Sequence, residues 1–239
     1  MKFSSNLTEA TLLKRTIKFL VEVVLPNGQR LMIRCPNLNP IIGCDILGTK
    51  IWYSTAIGYH CLPTWELAEV DGGHLVCINS ELVKPLVVEG VKKGIIEEFL
   101  SYNILHAGNT YEQTMQQNLL LESGSEKCYV CLEQVTLGSD QGEGFFPERH
   151  GMGASNINKL IKLCQEGHKA ILFFCVMHAG LKNIKPAYHI DPGYGKLLQI
   201  AVAAGVKLLA YKTSISTQGI ELTTKLPILF SEDAIYREH

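Results

Sequence analysis

With 239 residues, 46% of them hydrophobic and 19% charged, the chain has enough apolar material for one large domain or two small ones and lacks the composition of a disordered protein. Residues 1–94 carry 10 Lys/Arg against 8 Asp/Glu and the rest 12 against 15, for a net charge of −1, which lowers the expectation of a broadly basic, nucleic-acid-coating surface. The longest strongly apolar run, residues 170–177, is far too short to span a bilayer, and the N-terminus has no signal-peptide core, so no membrane association is expected.

Taken in order, residues 19–25 alternate weakly and end at the turn sequence Pro26-Asn27-Gly28. Residues 29–35 answer them, which predicts a hairpin. Residues 36–48, with two Pro and two Gly, read as loop. Short strands follow at 50–55, 64–70 and 74–79, the last after a tight Gly72-Gly73 turn. Several short strands with tight turns in so few residues suggest a small barrel. Residues 80–100 read as helical, with Leu82, Leu86, Ile95, Ile96 and Phe99 as the apolar stripe and Gly90 and Gly94 interrupting it. The domain junction is placed here, giving 1–84, 85–230 and a polar tail at 231–239.

A weak strand at 118–121 and a turn at 122–127 precede a strand over 128–137. Residues 138–154 are a Gly-rich loop without a phosphate-loop pattern. Ser155 is a plausible cap for a helix running to Gly167, with Leu160, Leu163 and Cys164 inward. Residues 169–178 read as a buried central strand. Asp191 precedes a helix over 194–204, and another buried strand covers 206–212. Strand–helix–strand order at this spacing implies an α/β domain with parallel pairing. The eight cysteines, with no secretion signal, are expected to be reduced and the protein cytoplasmic.

A set of short phrases then occurs in a fixed order. They are Arg15-Thr-Ile-Lys18-Phe19, Cys35-Pro36-Asn37, Gly43-Cys44, Thr64-Trp65-Glu66-Leu67, Val135-Thr136-Leu137, Phe146-Pro147, His189-Ile190-Asp191 and Ala210-Tyr211-Lys212. In this order the chain resembles the bacterial sugar fermentation stimulation protein A (SfsA) family across residues 3–230. The resemblance implies an N-terminal OB-like small β-barrel followed by a PD-(D/E)XK nuclease-like mixed α/β domain. It also implies DNA binding and a link to regulation of sugar metabolism.

The family's site residues carry over badly. Its nuclease motif places an Asp on one strand and Glu-x-Lys on the next, because two carboxylates hold Mg²⁺ and the Lys activates water. Here the three positions hold Asn118, Cys131 and Glu133, and the downstream Arg-Gly-x-Lys-His becomes Met152-Gly153-Ala154-Ser155-Asn156. No catalytic residue and no metal site is therefore expected. A residual Mg²⁺- or Mn²⁺-dependent nuclease would need Glu133 with a displaced acid such as Glu112, Glu122 or Glu143. On the nucleic-acid side Arg15, Lys18, Arg30, Arg34 and Asn37 remain, and could track phosphates or simply solvate strand edges.

A third reading, a protein- or small-molecule-binding scaffold, rests on the apolar loop residues Leu38, Pro40, Ile41 and Ile42. Cys128-x-x-Cys131 has metal-site spacing, but on a strand residues i and i+3 face opposite sides. Asp191 reads as a helix cap more readily than as a catalytic acid, and His178 as an edge histidine.

Overall fold

Strand structure begins earlier than the sequence pattern places it. The computed structural model describes residues 1–17, 19–39, 41–55, 62–106 and 118–230. Its first strand is β1 (Thr8–Ile17), which the sequence reading omits. Only Ala10 and Leu12 of β1 are fully buried, and its register shifts at Leu12/Lys14 and Arg15/Ile17, so no clean alternation survives. Next come β2 (Leu20–Val24), β3 (Arg30–Arg34), β4 (Lys50–Ser54), β5 (Thr64–Val70) and β6 (His74–Cys77). The expected hairpin is β2–β3, turned by Gly28 at φ 86°.

β1 pairs antiparallel with both β2 and β4, and β4 with β5. Arg34 of β3 then pairs with Thr64 of β5 and closes a five-stranded OB-like barrel. Leu12, Val21, Val23, Ile33, Ile51 and Trp65 fill it. Trp65 is fully buried without an orphan donor, because its indole N–H reaches the Leu67 carbonyl at 2.9 Å.

The second sheet runs in the order β14 (Gly219–Lys225), β13 (Lys207–Ser216), β11 (Lys169–Val176), β9 (Glu126–Val135), β8 (Asn118–Ser123), β7 (Asn103–His106). The central three strands are parallel and the flanking ones antiparallel. Helix α1 (Val83–Lys92) packs on one face, and α2 (Ala154–Gln165) and α3 (Pro192–Ala203) on the other. β11 is buried on both faces, as its continuous apolar run requires.

Some expectations need correction. The helix predicted over 80–100 is α1 with a 3-10 turn at Ser80–Leu82 before it and another at Glu97–Phe99 after it, broken at Gly94, which takes φ 69°. The Gly-rich loop contains β10 (Glu143–Phe146), paired in parallel with β12 (Asn183–Pro186). Ser155 lies inside α2, whose N-cap is Gly153. Asp191 does cap α3, accepting from the Gly193 and Tyr194 amides at 3.1 and 3.2 Å. The tail at 231–239 lies outside the described residues.

β6 links the two parts. It pairs with β5 in the barrel sheet, while the Cys77 amide donates to Met177 O and the Ala179 amide to Leu75 O, each at 2.9 Å. Trp52, Leu67 and Cys77 from the barrel's outer surface share one apolar cluster with Leu86 and Val87 of α1 and Phe173 of β11. No described helix is long and apolar enough to cross a membrane.

Candidate functional site

Strand alternation distributes β9 between two cores. Cys128, Val130 and Leu132 face α1, whereas Cys131 and Val135 face α2 and α3. The two cysteines of the Cys-x-x-Cys therefore lie on opposite sides of the sheet. Asn118 is the direct backbone partner of Cys131 across the β8–β9 ladder, so the positions matched to the nuclease motif do meet in space.

Cys131 is almost fully buried, and burial pushes its thiol well above the usual range, with the nearby Glu133 carboxylate adding to the effect. Glu133 is two residues on. Its Oε1 accepts a hydrogen bond from the Asn156 amide at 3.1 Å. Burial raises this carboxyl above its ordinary range, and the Asn156 bond opposes the rise. Gly153 holds the start of α2 against the strand at φ 80°. A Cβ there would stand 3.0 Å from the Tyr194 hydroxyl and 3.5 Å from Glu133 Oε1. Glu133, Asn156, Gly153 and Tyr194 thus converge at the N-terminal ends of both helices.

Sequence reasoning missed a second acid. Glu148, which follows the Phe146-Pro147 phrase, is buried beyond the end of β9. Its Oε1 accepts from the amides of Thr136 and Leu137 at 3.0 and 3.2 Å and from the Thr136 hydroxyl. Burial raises its carboxyl, these hydrogen bonds oppose the rise, and the Glu133 charge adds to it. The phrase itself was the only signal for this acid. The displaced acids considered for a residual site do not gather here: Glu143 is ion-paired with Lys185 at 2.7 Å, Glu122 pairs with Lys127 across β8–β9, and Glu112 lies outside the described residues.

This donor set suits a hard divalent ion poorly. One position is a buried thiol held in its protonated form, one carboxylate is tied to Asn156, and the other is tied to three donors. Among the described residues no three His, Cys, Asp or Glu side chains gather as metal ligands would.

The barrel residues singled out for nucleic acid are scattered among local partners. Arg15 donates to the carbonyls of Asn37 and Asn39 at 2.6 and 3.2 Å and so holds the loop after β3. Asn37 is buried, and its amide reaches Gln134 Oε1 at 3.2 Å, joining that loop to β9. Arg30 pairs with Glu22 at 3.2 Å. Arg34 grips Glu81 through two bonds of 2.6 and 2.9 Å. Lys18 lies outside the described residues.

Of the apolar loop residues, Ile41 is buried in the barrel core, whereas Leu38 and Ile42 are exposed, and Pro40 lies outside the described residues. Cys35 and Cys44 are free thiols in the same core. His178 is buried at the junction, and its Nδ1 accepts from the Gly180 amide at 3.0 Å. His189 stands edge-on to Phe145. Asp191, besides capping α3, takes the Gly151 amide at 2.8 Å.

Comparison with known proteins is consistent over nearly the whole chain. Residues 81–219 match the family described as "Sugar fermentation stimulation protein RE domain". A sugar fermentation stimulation protein homolog of Shewanella frigidimarina (strain NCIMB 400) is 37% identical over 234 residues, covering 96% of this chain and 100% of that protein. A homolog from Marinomonas sp. (strain MWYL1) is 34% identical over 237 residues, covering 96% of this chain and 90% of its own. The structure described as Pyrococcus furiosus SfsA in complex with Ca²⁺ superposes with a TM-score of 0.86 at 20% identity, covering 96% of this chain and 98% of that one, and shows the same fold. On these matches, and on a barrel and sheet that carry its phrases in order, the chain belongs to the sugar fermentation stimulation protein family.

Proposed function

We propose that this chain is a nucleic-acid-binding member of its family whose nuclease-type site no longer supports metal-dependent cleavage. The observation that carries the second half is the β9 face. Where the chemistry needs paired carboxylates and a lysine, Cys131 is buried and protonated and Glu133 is bound to Asn156. The binding half rests on family membership and on the OB-like barrel, with Arg30 and Arg34 at its surface. Both arginines sit in exposed ion pairs, worth about 0–1 kcal/mol, so exchanging carboxylate for phosphate costs little. The test is binding of labelled oligonucleotides at low and rising salt, with a parallel cleavage assay in Mg²⁺ and Mn²⁺. Salt-sensitive binding without cleavage supports the reading. Cleavage abolished by Glu133→Ala would overturn its second half, and absence of binding at low salt its first.

A protein-binding role is the second reading. Leu38, Ile42, Ile46 and Leu47, on the loop after β3, are all exposed, an apolar density typical of partner surfaces. Co-purification of a partner that is lost on Leu38→Ser/Leu47→Ser, with oligonucleotide binding absent, would favour it.

A further inference from the structure

We propose that the barrel rim around Phe19 is a stacking platform for the unpaired bases of a single-stranded nucleic acid. The proposal rests on the nucleic-acid reading above and narrows it. Phe19 is 51% exposed and is the only exposed Phe or Trp among the described residues. It stands in the connection between β1 and β2. Its carbonyl accepts from the Cys35 amide at 2.9 Å, which fixes that connection to the end of β3.

Two more exposed apolar side chains stand on neighbouring backbone. Ile17 is the last residue of β1 and pairs with Leu20. Leu38 lies between Asn37 and Asn39, whose carbonyls Arg15 holds. The three side chains therefore stand on backbone that is hydrogen-bonded in place, so little ordering cost remains for a ligand laid across them.

The charge beside Phe19 suits a backbone of phosphates. Arg34 is the register partner of Leu20, next to Phe19, and keeps 38% of its side chain exposed. Lys14, opposite Glu22, and Arg30, opposite Val24, lie further along the same strands and could follow a ligand that extends away from the rim. An aromatic face beside the Arg34 guanidinium, on the loop between the first two strands of an OB-like barrel, takes a strand whose bases are free to stack. A duplex hides those faces and would touch this rim through phosphates alone, leaving Phe19 idle. A protein partner would have to desolvate the Arg34–Glu81 pair beside the apolar patch, which makes it the poorer fit.

The experiment measures fluorescence anisotropy of the full chain at low salt with labelled oligo-dT and oligo-U of about 20 nucleotides, and with a duplex of equal length. The variants are Phe19→Ala and Phe19→Trp. The expected result is tighter binding of single strands than of duplex by the wild-type chain. Phe19→Ala weakens single-strand binding by about tenfold, leaves duplex binding unchanged and keeps the melting temperature. Phe19→Trp retains affinity, and its added fluorescence is quenched on binding.

If both chains bind single strands equally, the platform is wrong while nucleic-acid binding stands. If the wild-type chain binds neither single strands nor duplex, both readings fall. A Phe19→Ala change that alters sedimentation but not oligonucleotide affinity makes the rim a protein interface and also overturns the platform.

Discussion

The Glu133 carboxylate and the Asn156 amide are joined by a hydrogen bond of 3.1 Å, which ties the middle of β9 to the first turn of α2. On the reading proposed above, Glu133 takes the lysine position of the family's motif, and the Asn156 amide is the group that faces its carboxylate.

The Glu133 carboxyl is raised by burial, so the native state holds its proton more tightly than the unfolded chain does. Stability is therefore lost as pH rises above the unfolded value near 4.5, until the native carboxyl has ionised, and the penalty stays in place above that. Glu133→Gln keeps an oxygen for Asn156 and removes the penalty. The variant should be more stable than wild type at pH 8 and no different at pH 4. Urea unfolding at the two pH values checks this. A destabilised Gln variant at pH 8 would mean that the carboxylate charge itself is stabilising.

His178 works in the opposite sense. Burial, with the neighbouring His74 and Lys212 adding, lowers its pKa from 6.5 to about 4. The native ring stays neutral while the unfolded one takes up a proton near 6.5, so stability is complete above that pH and falls progressively down to about 4. The loss reaches about 3 kcal/mol at the acid end, and His178→Gln should flatten it. Because His178 lies where β6 meets the second sheet, amide-exchange protection at Cys77 and Ala179, corrected for the intrinsic rate at each pH, should fall first as pH falls.

Arg15 is a structural donor whatever it does for ligands. Arg15→Met leaves the Asn37 and Asn39 carbonyls without their guanidinium, and should cost roughly 1–3 kcal/mol in chemical denaturation. Arg30→Gln with Arg34→Gln removes only exposed pairs and should cost less than 1 kcal/mol. The same double variant should reduce the salt slope of oligonucleotide binding by about two if both side chains reach phosphates.

Building the nuclease motif at the three positions tests the proposed reading directly. Asn118→Asp, Cys131→Glu and Glu133→Lys together place two carboxylates on adjacent strands with a lysine beside them. The triple variant should melt below wild type without metal, because Glu at position 131 enters a buried site. Mg²⁺ or Mn²⁺ should then raise its melting temperature and leave the wild type unmoved. An equal response from both chains would show that metal binds elsewhere.

How much of this could be read from the sequence depends on how locally each feature is encoded. The β2–β3 hairpin and β5 were plain, because turn residues and alternation lie within a few positions of one another. β10 and β12 were not, because each is four residues long and finds its partner about forty residues away. β14 offers only Ile220 and Leu222 as inward residues, too few to establish a period. At the site, Cys131 and Glu133 were named through the family resemblance, and strand alternation correctly puts them on one face. Asn156 entered only as the end of the stretch matched to the family's downstream motif, and Glu148 was missed, because a loop brings it in and no spacing in the sequence encodes that approach.

The double membership of β6 has a consequence for handling the protein. A fragment that stops short of α1 would leave Trp52, Leu67 and Cys77 facing water. A fragment that begins at α1 would lack the strand that covers the Met177–Ala179 edge. Neither half is expected to fold when separated from the other. Barrel and sheet should melt in a single transition, and a lesion in either will be felt as loss of both.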